Sequence, residues 1–181
     1  KSGALWVIPL HGEPRLLLTP TPEQSLFAPI VSPLGDAVAY VVNQAEIHTV
    51  EISTGETKRI DRGEHDFVND PVWWNGRCIW QAWNVPHMPW DESLLVSAEG
   101  VIAGAINVQH QQPATDPSGT HLGWLDDRFG WLNVVTHDGQ RIAEDFEHGG
   151  PTWGERQRSW CFDSAGSRIA FVRNEGGFGR L

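Results

Sequence analysis

The chain repeats itself about every 43 residues, and that period restricts its fold more than any other feature. Gly35, Gly76, Gly119 and Gly166 each close a tight turn that leads into an apolar run: Ala37 to Val42, Cys78 to Trp83, His121 to Leu125 and Arg168 to Val172. Their spacings are 41, 43 and 47. A second series, Gly12, Gly55, Gly100 and Gly139, lies between them at spacings of 43, 45 and 39. Strand-like segments flank it, at Leu5 to Leu10, Ile47 to Ile52, Leu94 to Ser97 and Trp131 to Thr136. Two interleaved hairpin series with one period mean four strands per repeat. A period of about 40–45 residues belongs to four-stranded propeller blades.

The turn chemistry agrees. Asp116-Pro117-Ser118-Gly119 has the preferences of a type I turn, and Ser32 to Gly35 and Asp163 to Gly166 fit the same template. Asn75-Gly76 is a two-residue hairpin signal. Asp36 to Thr54 lacks Gly and Pro and would admit a helix. However, Val38, Val41, Val42, Ile47, Thr49, Val50 and Ile52 are β-branched, which favours strands. The predicted fold is all-β: a partial β-propeller with about three whole four-stranded blades plus a half blade at each end. Residues 1–181 form a single partial propeller domain in this reading. The two half blades could pair, Leu5–Leu10 with Ile169–Val172, to close a four-bladed ring. A piece of a larger ring is the favoured arrangement, and its unpaired strand edges would promote self-association.

Composition narrows the partners. The 181 residues hold 13 Lys and Arg against 23 Asp and Glu, a net charge of −10, with no basic stripe; nucleic acid is not an expected partner. Apolar runs of about six residues fall well short of the roughly 20 that span a bilayer, so no membrane partner is expected. The N-terminus shows no leader pattern. Cys78 and Cys161 form no CxxC and read as two buried free thiols, which points to the cytoplasm. The eight histidines include no pair at ligand spacing and read mostly as surface-turn residues. No metal site and no cofactor are predicted. Ten tryptophans suit sheets stacked face to face. Trp73, Trp74, Trp80 and Trp83 read as blade packing. Trp90, flanked by Pro86 and Pro89, reads as a loop residue. Neither Asp126-Asp127 nor Glu144-Asp145 is a ready acid–base dyad, because neighbours on a strand point to opposite faces.

The segment Ile79-Trp80-Gln81-Ala82-Trp83-Asn84-Val85-Pro86-His87-Met88-Pro89-Trp90-Asp91-Glu92-Ser93-Leu94 is the most distinctive. It resembles a signature of the acylaminoacyl-peptidase and dipeptidyl-aminopeptidase branch of the prolyl oligopeptidase family of serine peptidases, with His87 where that pattern has Asn. Asp66-Phe67, Asp127-Arg128-Phe129-Gly130-Trp131-Leu132-Asn133 and Phe146 to Trp153 resemble further family segments, in the family's order, over about residues 25–175. The resemblance implies an N-terminal propeller that gates peptide access to a C-terminal α/β-hydrolase domain with a Ser-Asp-His triad. Its implied partners are that hydrolase domain of the same parent protein and a peptide substrate. Trp83, His87, Met88, Trp90, Asp91, Asp127, Arg128 and Trp131 become candidates for substrate gating or domain contact. The alternative is a stand-alone propeller that binds carbohydrate or a protein partner. The chain contains no G-x-S-x-G nucleophile elbow, so no catalytic residue is assigned and the hydrolase domain is placed outside it. The purified chain is therefore expected to hydrolyse neither aminoacyl nor acylaminoacyl substrates. A fluorogenic assay would contradict this if turnover survived purification and resisted a serine-directed inhibitor.

Overall fold

A computed structural model of the chain describes residues 3–151 and 154–181. The described residues contain strands and turns and no helix, hence none long and apolar enough to cross a membrane. A short hairpin comes first, β1 (Leu5–Val7) with β2 (Arg15–Leu18). Two four-stranded antiparallel blades follow: β3 (Leu26–Val31), β4 (Ala37–Val42), β5 (Glu46–Glu51) and β6 (Thr57–Arg59), then β7 (Phe67–Trp74), β8 (Arg77–Trp83), β9 (Leu94–Ser97) and β10 (Gly100–Ala103). The third blade has three strands, β11 (His110–Thr115), β12 (Leu122–Asp126) and β13 (Asn133–Thr136). Two hairpins complete the described chain: β14 (Trp160–Phe162) with β15 (Ile169–Phe171), and β16 (Arg173–Glu175) with β17 (Phe178–Arg180).

Alternation along the middle strands explains the stacking. In β4, Val38, Tyr40 and Val42 pack with Leu17 and Leu5 of the first hairpin, while Ala39 and Val41 face the second blade. In β8, Cys78, Trp80 and Ala82 face the first blade, and Ile79 faces the third. In β12, Leu122 and Trp124 face the second blade, and Leu125 packs with Trp160 of the next. Side chains alternate between the two faces of a strand. A strand apolar at both parities therefore needs a neighbouring sheet on each side, and successive sheets must stack. Trp74 and Trp80, with Trp73 half-buried beside them, fill these interfaces as expected of the cluster, and Trp124 and Trp160 do the same, whereas Trp83 stacks on Phe67.

The four predicted glycine turns lie at equivalent hairpins between the first and second strands of successive sheets. Gly35, Gly76, Gly119 and Gly166 have φ of +72°, +76°, +73° and +68°, the left-handed region that glycine enters without a Cβ penalty. Polar side chains tie these turns from inside. The Asp116 carboxylate accepts N–H groups from Thr120 and His121 at 2.9 and 2.7 Å. Burial alone would raise its pKa, but the Ser118 hydroxyl and the backbone donors outweigh that and bring it down to about 2.

Some expectations are corrected. The third blade lacks a full fourth strand; after Gly139 only a Val135–Arg141 bridge forms, because the segment is polar and exposed. The first strand stops at Val7 rather than Leu10, just before Pro9. The hairpin β16–β17 was not foreseen; Gly176 and Gly177, with φ of +58° and +89°, supply the two positive-φ positions of a tight hairpin turn. Leu5–Val7 pairs with β2 and Ile169–Phe171 with β14, so these two segments form no composite blade. Cys78 is buried as expected, but Cys161 is exposed, because β14 turns Trp160 inward and its neighbour outward.

The interfaces yield a stability prediction. Trp80→Ala should cost about 3–5 kcal/mol, as for other large-to-small core changes. Gly123→Ala should cost about 1–3 kcal/mol by overpacking, since its Cβ would lie 2.6 Å from a Trp160 ring carbon and 3.1 Å from the Val135 carbonyl oxygen. Urea unfolding measures both. Wild-type midpoints for the two variants would contradict this stacking.

Candidate functional site

Antiparallel order sends the turns between first and second strands, and between third and fourth, to one end of every blade. The loops between second and third strands, and the links between blades, lie at the other end. All eight candidate residues belong to this second rim. Trp83 and the His87–Asp91 loop join β8 to β9, and Asp127–Trp131 joins β12 to β13.

The β8–β9 loop is held from several sides. The Asp66 carboxylate accepts the Val85 N–H at 3.0 Å, and the Asn84 side chain accepts the Asp66 N–H at 2.8 Å. The Val85–Pro86 peptide is cis. Asp91 accepts the Met88 N–H at 3.0 Å and returns its own N–H to the Met88 carbonyl at 2.9 Å. Trp83 stacks on Phe67 with ring centres 5.4 Å apart. Met88 is exposed and His87 half-buried. Trp90 is half-buried and, among the described residues, is not in the apolar clusters between blades. It lines a groove of about 300 Å³ with Gln109, Leu132, Glu147, Gly149 and Pro151.

The β12–β13 loop meets that groove through polar contacts. The Gln109 backbone N–H and side-chain amide donate to the two Asp127 carboxylate oxygens at 3.1 and 2.9 Å. Arg128 pairs with the buried Asp126 at 2.8 Å, not with Asp127, and the turn before Gly130 is closed by the Asp127 carbonyl. Trp131 is exposed and outside the groove lining. Two of the resembling segments come together here: the Leu132 N–H donates to Glu147 at 2.7 Å, and the Asn133 side chain donates to the Phe146 carbonyl at 3.0 Å. Thr152 and Trp153 of the last segment lie outside the described residues.

Sequence reasoning missed a polar layer behind this rim. His110 and His148 are fully buried rather than in surface turns. The His110 Nδ1–H donates to the Ser93 carbonyl at 2.7 Å, and Nε2 is buried with no hydrogen-bond partner among the described residues. Gln81, Ser93, Asp126 and Arg128 surround this part of the interface between the second and third blades. Loss of solvent is the main influence on His110 and lowers its pKa, against the opposing pull of the Ser93 carbonyl and Asp126. His148 is lowered for the same main reason, against the pull of Glu144, which it meets at 3.1 Å.

The inner strands hold a second missed feature. Ala28, Asp70 and Gln112, spaced 42 residues apart, have φ of +46°, +47° and +52°, and each precedes a proline. At these points the pairing of β3, β7 and β11 with the adjoining strands shifts register. Such bulges release the backbone N–H that proline lacks. They also turn a side chain inward: Asp70 pairs with Arg158 at 2.8 Å and accepts the Arg156 N–H at 2.6 Å, and Gln112 accepts the Ser159 N–H at 2.8 Å. The repeated X-Pro at a 42-residue spacing was the available signal. Among the described residues no cluster of His, Cys, Asp and Glu could hold a metal ion.

Similarity to solved structures is one of fold. A puromycin hydrolase matches with a TM-score of 0.69 at 22% identity over 91% of this chain and 30% of its own. A puromycin-hydrolyzing peptidase of Mycobacterium tuberculosis matches with a TM-score of 0.71 at 20% identity, over 91% of this chain and 31% of its own. An oligogalacturonate lyase from Vibrio parahaemolyticus matches at 0.59 and 17% identity, over 91% of this chain and 50% of its own. The chain thus spans about 30% of the length of the puromycin hydrolase and of the puromycin-hydrolyzing peptidase. Their likeness shows the fold, an open run of propeller blades. No family model and no curated protein matches the chain.

The buried imidazoles set a pH dependence. A base whose charged form is disfavoured in the fold binds protons more readily in the unfolded chain. Its contribution is complete above the ordinary histidine value of about 6.5 and is lost as the pH falls below it. The melting temperature should therefore drop from pH 7.5 to 5.5, and His110→Gln should make that drop shallower. An unchanged slope in the variant would show that His110 has no such role.

Proposed function

We propose that this chain is the non-catalytic propeller region of a serine exopeptidase of the prolyl oligopeptidase family, of acylaminoacyl or dipeptidyl type. Its role is to gate the access of peptides to an α/β-hydrolase domain elsewhere in the parent protein. One observation carries the reading: the eight residues that the resemblance singles out lie on a single rim, where Trp90 lines a groove shared with the following blade. A rim that presents His87, Met88 and Trp90 on a loop tied by Asp66 and Asp91 suits contact with a second domain or with a peptide between domains. The fold likeness to two peptidases supports the same choice. A cytoplasmic location accompanies this proposal, as does self-association through the outer face of the first hairpin, where Trp6 and Leu16 are 55% and 44% exposed.

The likeness to an oligogalacturonate lyase favours one rival, a propeller that handles carbohydrate. Trp90→Ala in the full-length parent separates the readings. A gating residue leaves the melting temperature nearly unchanged and shifts kcat/KM unequally between short and long peptides. A loss of about 3–5 kcal/mol, the cost of removing a core ring, with length selectivity intact would overturn the role given to this loop. A parent without serine-hydrolase activity would overturn the family reading.

A further inference from the structure

The inner side of the arc holds a groove of about 310 Å³, at the small end of the roughly 300–1,000 Å³ typical of ligand sites. Its walls come from the first strands of four successive sheets. Ile30, Val72, Ala114 and Phe162 make them mostly apolar, and Arg156 and Arg158 lie at the rim end. These two arginines belong to the link that enters β14, and they differ in their partners. Arg158 is neutralised by the buried Asp70. The nearby Glu155 is tied to the Gln44 amide at 2.8 Å. The Arg156 backbone N–H is fixed on Asp70, but its guanidinium has no hydrogen-bond or ion-pair partner among the described residues. Crowding by the protein and the like charge of Arg158 push its pKa down, with Asp70 pulling the other way. Arg156 is also held at φ +62°, a left-handed conformation that costs a non-glycine residue energy and persists where surrounding contacts impose it.

We infer that this inner groove binds the C-terminal end of a short apolar peptide, with the Arg156 guanidinium taking the terminal carboxylate. A planar guanidinium with free donors matches a carboxylate in a bidentate manner, and such charge-assisted pairs are about twice as strong as neutral ones. The walls supply apolar contact and the fixed Asp70–Arg158 pair orients the link, so the site needs little reorganisation. The inference rests on the peptide-handling reading above for its choice of a peptide over another carboxylated chain.

The test uses this chain itself, with acetyl-trileucine, its C-terminal amide and octanoate as probes in titration calorimetry. The acid should bind at least about tenfold more tightly than the amide, the factor expected for one charge-assisted contact. Arg156→Gln should bring acid and amide to within about twofold, while Arg156→Lys should keep part of the preference. Cys161 lines the groove and is exposed, whereas Cys78 is buried, so alkylation of Cys161 reports occupancy independently. The acid should slow it, and the amide at the same concentration should slow it less. Equal binding of acid and amide, a preference that survives Arg156→Gln in a folded variant, or no binding at all would overturn the site. Octanoate binding as tightly as the peptide would overturn the peptide assignment. A parent that lacks serine-hydrolase activity would remove the peptidase reading and leave an acid-over-amide preference of this chain standing.

Discussion

The second strand of each of the three blades is apolar on both faces, and the remaining architecture follows from that. A sheet with one apolar face can rest against a single neighbour and expose the other side. β4, β8 and β12 cannot: Val38, Tyr40 and Val42 demand one partner sheet, and Ala39 and Val41 demand another. Stacking thus propagates from blade to blade. Each interface must also be filled to interior density, because a void forfeits contacts on both sides. The large rings of Trp74, Trp80, Trp124 and Trp160 do this where two twisted sheets diverge. Gly123 is the complement of Trp160: the strand gives up a side chain so that the next blade's ring can lie against its backbone.

Against this apolar stacking, most buried polar groups lie at the ends and the inner edge of the blades. Turn carboxylates such as Asp116 satisfy backbone donors that would otherwise be stranded at a hairpin. At the opposite rim, Asp66, Asp91 and Asp127 fix loops to their neighbours by accepting backbone or amide N–H groups. At the inner edge the bulges place Asp70 and Gln112 where they hold the link to β14. Buried charge is costly unless paired, and Asp70 answers that requirement with Arg158 and a backbone N–H. Removing either partner would leave a carboxylate in a site closed to water, so this link is anchored more firmly than its irregular backbone suggests.

Much of this fold was legible in the sequence. Gly35, Gly76, Gly119 and Gly166 fixed the blade period because a positive φ is a local demand with few solutions. The alternation in Ala37 to Val42 marked a strand buried on both faces. The loop residues were legible as a motif, and topology then places both segments on one rim. What could not be read depends on distant partners. Arg128 follows Asp127 directly in the sequence, yet the buried Asp126 at the end of β12 claims it at 2.8 Å. His110 and His148 lacked ligand spacing and were assigned to turns; only the stacking of blades buries them. Cys161 sat in an apolar run like Cys78, but parity on β14 turned it outward. The missing fourth strand of the third blade reflects weak local propensity in 137–145, which no packing neighbour overrides.

Pro29, Pro71 and Pro113 recur every 42 residues in the first strands of three successive blades. Their deeper meaning lies in the residues that precede them. A proline in the first strand of a blade would break a ladder unless the strand bulges there, and the bulge forces Ala28, Asp70 and Gln112 into the left-handed region. At the first position the residue is alanine, and the turn is only structural. At the second and third it is a polar side chain, and the same backbone device becomes an anchor for residues distant in sequence, 88 positions for Asp70 and Arg158 and 47 for Gln112 and Ser159. The fold thus repeats its backbone while varying the chemistry it presents along the inner edge. At that inner edge strand packing shapes the groove, and the side chains at the bulge positions decide how the link beside it is anchored.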